Sequence, residues 1–194
     1  MPRVSPLPCL LGGALLLGQA DVVRAQAPAV STKGPAMLRV GDRLPPLKGE
    51  FLTGRAAQLP DVAAGKVALV MLGFTYGSRH AVEAWGEWFK ARHAARTGVT
   101  FFEVPMIGGM ARMGRWFIDS GMRKGTPQAL HENVITVYGG TGDWKKRVGY
   151  AAEDHAYLLV LDRDGTIRWM HHGDFDEPRA RELGEVLDGL VGSS

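Results

Sequence analysis

The sequence predicts an α/β fold in which helices cover both faces of a mixed sheet. Residues 67–74 form an unbroken apolar run of β-forming residues, typical of a strand buried on both faces. Apolar residues at helical spacing follow from Ser78 onward, which predicts a helix directly after that strand. Further along, Asp164-Gly165 lies between two apolar runs and predicts a tight antiparallel hairpin. Strand and helix alternation followed by a hairpin requires a mixed sheet.

Length and composition predict one globular domain with an N-terminal extension. The chain has 194 residues, of which 45% are hydrophobic and 22% charged, enough apolar surface for a real core. The net charge of +3 produces only a weak electrostatic field, so the charge does not indicate a nucleic-acid partner.

The first residues have the pattern of a secretory leader. Arg3 precedes a short apolar stretch over 9–18, and Ala25-Gln26-Ala27 supplies small residues for cleavage. We therefore divide the chain into a signal peptide (1–27), a linker (28–37) and a folded domain (38–191). This predicts a periplasmic or secreted protein, associated with a membrane only if the leader stays uncleaved. A membrane anchor and a mitochondrial transit peptide are the alternatives.

The helix after Ser78 is predicted to bury Val82, Trp85 and Phe89, with the Ser78 side chain as its cap. Trp88 stands beside Phe89, so we expect one of these two rings to be exposed and available to a partner.

The middle of the chain repeats the strand and helix signals. Residues 99–104 and 134–138 predict strands. Between them, Met110, Met113 and Phe117 share a helical stripe that we expect to pack in the core and to stop near Gly121.

The last third predicts a loop, a hairpin and a closing helix. Residues 139–143 are glycine-rich but lack the Lys-Ser/Thr of a phosphate loop, so we expect a flexible turn. Residues 157–161 and 167–171 are the strands of the hairpin. The final helix is predicted from the apolar stripe Leu183, Val186, Leu187 and Leu190, preceded by Asp176, Glu177 and Pro178.

Several short motifs resemble known families. The segments that resemble redoxins and TlpA-like proteins of the thioredoxin superfamily are Val40-Gly41-Asp42, Pro45, Thr53-Gly54, Leu59-Pro60-Asp61 and Gly65-Lys66. The segment Gly73-Phe74-Thr75-Tyr76 resembles the SCO copper chaperones. The segments that resemble the mitochondrial ATPase assembly-factor family (its subunit-ten member) are Val104-Pro105, Gly121-Met122-Arg123, Val148-Gly149-Tyr150, 159–162, Gly165, Ile167-Arg168-Trp169 and Gly173. These resemblances imply a thioredoxin-like fold over about residues 38–190.

The sequence departs from these families at the reactive positions. Where SCO proteins carry two cysteines, Gly77 and Ala81 stand, and the only cysteine is Cys9 in the predicted leader. Thioredoxin-type reductases, peroxiredoxins and SCO proteins all need a thiolate at this helix start. The proline that such reductases place before the facing strand falls near Ala156 and is also missing. We therefore expect no thiol catalysis, no catalytic residue and no cofactor.

The resemblance and the missing thiols favour a redox-inactive protein-binding or assembly factor of the cell envelope. Its client would be a protein or peptide, such as a subunit of a membrane complex. The candidate contacts are Tyr76, Gly77, Ser78, Arg79, His80, His155 and Trp169. The helix start next to Arg79 also suits a carboxylate or another anion.

A copper carrier is the main alternative. His80, His155, His171 and His172 could gather at one end of the sheet. In this alternative His80 and His155, with methionines nearby, hold copper in place of the lost thiolates. Against this, adjacent histidines on a strand point to opposite faces. An oxidoreductase assigned by family membership alone is a third reading, and it lacks any cofactor motif.

Overall fold

The computed structural model describes residues 34–109 and 114–192. Within them the elements follow the order β1 (Leu47–Phe51), β2 (Ala56–Leu59), β3 (Val67–Gly73), α1 (Arg79–His93), β4 (Val99–Ile107), α2 (Arg115–Gly125), β5 (Ile135–Tyr138), α3 (Thr141–Val148), β6 (Ala156–Leu161), β7 (Ile167–Gly173) and α4 (Glu177–Gly192). The predicted leader and most of the predicted linker lie outside the described residues.

The strands form one mixed sheet in the order β2-β1-β5-β4-β3-β6-β7. Strand β3 pairs in parallel with β4, and β4 with β5, so helices α1 and α2 serve as the crossovers between parallel strands. The remaining pairs are antiparallel, including the predicted hairpin of β6 and β7. The mixed sheet predicted from the sequence is confirmed.

Strand β3 is the centre of the core, because every one of its side chains is buried. Val70 and Leu72 pack into the cluster that includes Trp144 of α3, whereas Leu69 and Met71 pack into the cluster that includes residues of α1 and α4. Full burial of such an aliphatic side chain contributes about 1.5–3 kcal/mol. Helices therefore cover both faces of the sheet, as predicted.

Helix α1 differs from the prediction in two details. The Ser78 side chain does not cap the helix and bonds back to Thr75 instead. Trp88 and Phe89 are both buried, so the expectation of one exposed ring was wrong. The reason is α4, which packs against the Trp88 indole; a Cβ atom on Gly184 of α4 would lie 3.8 Å from it.

Two other elements also differ from the prediction. A helix, α3, begins within the expected glycine-rich turn, and Trp144 and Val148 anchor it in the core. Helix α2 continues to Gly125, and Phe117 is exposed rather than packed in the core. Met110 and Met113 lie outside the described residues. None of the described helices is both long and apolar enough to cross a bilayer.

Candidate functional site

The loop between β3 and α1 is held rigid by hydrogen bonds between Thr75 and Ser78. The Ser78 hydroxyl donates to the Thr75 carbonyl over 2.8 Å, and the Ser78 amide donates to Thr75 Oγ1 over 3.2 Å. A Cβ atom on Gly73 would lie 2.8 Å from Ser78 Oγ, so this arrangement needs a glycine at the end of the strand. Ser78, predicted as a partner contact, is only 1% exposed and supports the loop from within.

The segment before β6 faces this loop. The Thr75 hydroxyl donates to the carbonyl of Glu153, and a Cβ atom on Gly77 would lie 4.0 Å from Cα of Asp154. Since β3 and β6 are antiparallel neighbours, the end of one strand and the start of the other meet at the same sheet edge. The loop and the segment leading to His155 therefore converge on one surface.

A stack of aromatic rings supports that surface from below. The Tyr157 ring stacks between Tyr150 and His172, with both centroid distances 5.6 Å, and Phe74 meets Tyr157 edge-on at 5.4 Å. His155 extends the stack at 5.3 Å from His172. The sequence placed Tyr157 in a strand but gave no sign of this stack, because its members lie far apart along the chain.

Tyr76 is the most prominent group on this surface, with 80% of its side chain exposed. The Arg79 guanidinium lies 6.0 Å from the Tyr76 ring centroid, and its Nε donates to Glu83 over 2.6 Å. The hydrogen bond to Glu83 raises the pKa of Arg79. The Arg79 amide already donates to the Tyr76 carbonyl. The Ser78 and Arg79 amides and the Arg79 charge thus already have partners within the chain. The loop therefore suits contact with a protein surface better than binding of a free anion.

The four histidines of the predicted cluster separate into different places. Nδ1 of His155 lies 3.1 Å from Nδ1 of His172. His171 instead packs against Trp85 and Trp169, since successive residues of β7 face opposite sides of the sheet. His80 is exposed on α1. Over residues 34–109 and 114–192, no three His, Cys, Asp or Glu side chains are grouped as metal ligands.

Trp169 does not belong to the candidate surface. It is 7% exposed, and its Nε1 donates to Glu182 of α4 over 2.9 Å. The hydrogen bonds to Arg179 and Trp169 lower the pKa of Glu182. Trp169, predicted as a partner contact, is therefore a buried indole whose N–H already has a partner.

Comparison with known proteins supports the fold and gives a family. The sequence model of the family described as ATP10 protein matches residues 42–190. A putative thiol:disulfide interchange protein DsbE from Chlorobium tepidum is similar in structure, with a TM-score of 0.55 and 17% identity over 79% of this chain and 99% of that chain. The sequence comparison with curated proteins found no match.

Two further solved structures share the fold. A putative protein disulfide isomerase from Bacteroides thetaiotaomicron has a TM-score of 0.56 and 13% identity, covering 82% of this chain and 95% of that chain. A thiol peroxidase from Chromobacterium violaceum has a TM-score of 0.53 and 12% identity, covering 83% of this chain and 92% of that chain. At such identities the likeness shows a thioredoxin-like fold and no more.

Proposed function

The chain belongs to the ATP10 protein family, and from that membership we propose that it is a redox-inactive assembly factor of the cell envelope that binds a protein or peptide client. The observation that carries the proposal is a thioredoxin-like fold whose loop has Gly77 and Ala81 at the positions of the thiols. The client surface consists of the exposed loop side chains, foremost Tyr76, and the facing segment before β6.

The chemistry of the loop supports binding rather than catalysis. Disulfide exchange and peroxide reduction both need a thiolate as nucleophile. Gly77 has no side chain and Ala81 is a buried methyl group, while the only cysteine of the sequence is Cys9 in the predicted leader. A rigid, exposed tyrosine supplies contact area at a low cost in conformational entropy, which suits a recognition surface.

We propose that the domain works on the outer side of a membrane, which follows from the leader-like residues 1–27. The expected result is that the protein isolated from its host begins close to residue 28, as measured by intact mass. A mass that retains the leader would support an anchor instead, and recovery in the cytosol would contradict export.

Site-specific photo-crosslinking tests the client surface. A benzoylphenylalanine at position 76 is expected to crosslink one reproducible membrane protein in intact cells. Position 40 is the matched control, because Val40 is 60% exposed. The amide of the neighbouring Gly41 donates to the carbonyl of Ile167 at the start of β7, which lies at the edge of the sheet opposite the Tyr76 loop. Crosslinking that is equal at both positions, or absent at position 76, would contradict the proposal.

A metal carrier is the second candidate, favoured by the facing imidazoles of His155 and His172. Their Nδ1 separation of 3.1 Å is close to the roughly 3.3 Å expected for two nitrogens on one tetrahedral ion with bonds near 2.05 Å. Equilibrium dialysis of the purified protein against Cu²⁺ and Zn²⁺ tests it. Retention lost in His155→Ala and His172→Ala but kept in His171→Ala would support the site, and no retention by the unaltered protein would exclude it.

A further inference from the structure

Helix α2 presents two large aromatic side chains to solvent. Trp116 and Phe117 are 71% and 74% exposed, and their rings touch edge-on with centroids 4.8 Å apart. The exposed Lys124 lies seven residues after Phe117 and so occupies the same side of the helix two turns later. Ser120 and Gly121 between them are small, so the aromatic rings protrude. We call the surface of Trp116, Phe117 and Lys124 the α2 outer face.

The opposite side of α2 is held on the body by polar contacts. Arg115 pairs with Glu50 of β1 and with Asp119, and the Tyr138 hydroxyl donates to Asp119 over 2.6 Å. Asp119 is the only buried residue of α2 and its only acidic one. The aromatic rings are thus not needed to attach the helix, and no carboxylate of α2 offsets Lys124 on its outer face.

We infer that the α2 outer face docks on the surface of an anionic lipid bilayer. Exposed aromatic side chains on the same side of a helix as a cation are a combination by which a helix lies in a membrane interface, with the rings at the headgroup boundary and the cation on a lipid phosphate; here Lys124 supplies the cation. A protein or a second copy of this chain fits less well. Two aromatic side chains bury about 300–500 Å² at 150–250 Å² each. A stable interface needs about 800 Å² per partner.

The inference rests on the proposed envelope location, and it adds an orientation to the proposed function. Strands β3, β4 and β5 are parallel, so the loop after β3 and the start of α2 after β4 lie at the same edge of the sheet. Docking by α2 would hold Tyr76 close to the bilayer. That placement suits a client embedded in the same membrane.

Vesicle co-sedimentation of the full chain, as isolated from its host, tests the inference. We expect binding to vesicles of 70% phosphatidylcholine and 30% phosphatidylglycerol, weaker binding to pure phosphatidylcholine, and weakening by 0.5 M NaCl. Trp116→Ser with Phe117→Ser should reduce partitioning at least tenfold, and Lys124→Glu should reduce it on the anionic vesicles. Val40→Ser is the control, since it removes another exposed apolar side chain, at the opposite edge of the sheet, and should leave partitioning unchanged.

Several outcomes would overturn the inference. These are no binding by the unaltered protein, equal binding by the double variant with an unchanged circular dichroism spectrum, or a dimer in sedimentation analysis that the double variant abolishes. Crosslinking at position 76 tests the client surface independently of vesicle binding. Vesicle binding without a crosslinked client rejects the client surface alone, and a client without vesicle binding rejects docking by α2 alone.

Discussion

At the scale of single residues, the Tyr157 hydroxyl is the strongest link between the core and the candidate surface. It accepts from the amides of Ala151 and Ala152 over 2.8 and 3.0 Å and donates to the Ala152 carbonyl over 2.9 Å. These bonds fix the segment that leads to the surface facing the loop. The ring itself is buried, so a substitution that removed it would lower stability through lost packing as well as through lost hydrogen bonds.

Replacing Tyr157 with Phe isolates the hydroxyl. The change is expected to lower the free energy of unfolding by about 1–3 kcal/mol, because backbone groups lose their partner while the ring stays. Urea denaturation measures the loss, and hydrogen exchange at Ala151 and Ala152 should quicken. Tyr76→Phe alters an exposed hydroxyl and serves as the control. Equal stability of Tyr157→Phe and the unaltered protein would show that water replaces these bonds.

The sequence predicted the place of some candidate residues in the fold. Tyr76 and Gly77 were predicted from their place between strand and helix, and the structure puts both there on an exposed loop. Ser78 and Trp169 are both buried, which the local pattern did not show; Trp169 is covered by α4. Local pattern shows which element carries a residue but not which long-range neighbour covers it.

At the scale of elements, segments with a strong local signal were predictable. Strand β3 is an unbroken apolar run, the Asp-Gly pair marks the turn of the hairpin, and α4 carries an apolar stripe at helical spacing. Helix α3 was missed because glycines surround its start, and only Trp144 and Val148 mark its buried side. The hairpin of β1 and β2 was missed because these short strands contain Lys, Gly, Glu, Ala and Gln rather than the β-branched residues that mark the equally short β5.

Helix α2 depends on one buried carboxylate, and this yields a prediction at the element scale. Burial and the hydrogen bond to Asp119 raise the pKa of Tyr138, so the phenol stays protonated and donates. Asp119→Ala removes the acceptor for Tyr138 and a partner of Arg115, and should destabilise the protein by about 1–3 kcal/mol.

The loss should be local. Hydrogen exchange is expected to rise over residues 115–125 while β3 stays protected, since that strand lies in the centre of the core. Arg179→Ala, which breaks an exposed pair with Glu182 on α4, is the comparison and should change stability little. Uniform loss of protection across the sheet would show that α2 is not a separate unit.

For the molecule as a whole, buried titratable groups link pH to the packing of α1 and α4 on the sheet. His93, near the end of α1, is packed between the rings of Trp88 and Phe89. Arg96 can only donate, so its contact of 3.1 Å makes Nδ1 of His93 the acceptor and puts the proton on Nε2. That Nε2 is buried and lacks a protein partner among the described residues. A second proton, on Nδ1, would point at the Arg96 guanidinium and be repelled by its positive charge. Arg96 also forms an ion pair with Asp188 of α4.

Burial therefore lowers the pKa of His93, and of His171 on β7 in the same way. In the unfolded chain these two imidazoles bind protons near pH 6.5, whereas in the folded chain they stay neutral at that pH. The free energy of unfolding therefore falls as the pH falls below about 6.5. Glu103 acts in the opposite sense, because burial raises its pKa and acid favours its folded form.

The contribution of His93 is separated by comparing variants rather than by one pH profile. Between pH 7.5 and 5.5 the urea midpoint of the unaltered protein should fall more than that of His93→Leu, which has no imidazole to protonate. His80→Leu removes an exposed imidazole and should keep the full dependence. Parallel pH profiles for His93→Leu and the unaltered protein would mean that this ring gains its proton without leaving its place between α1 and α4.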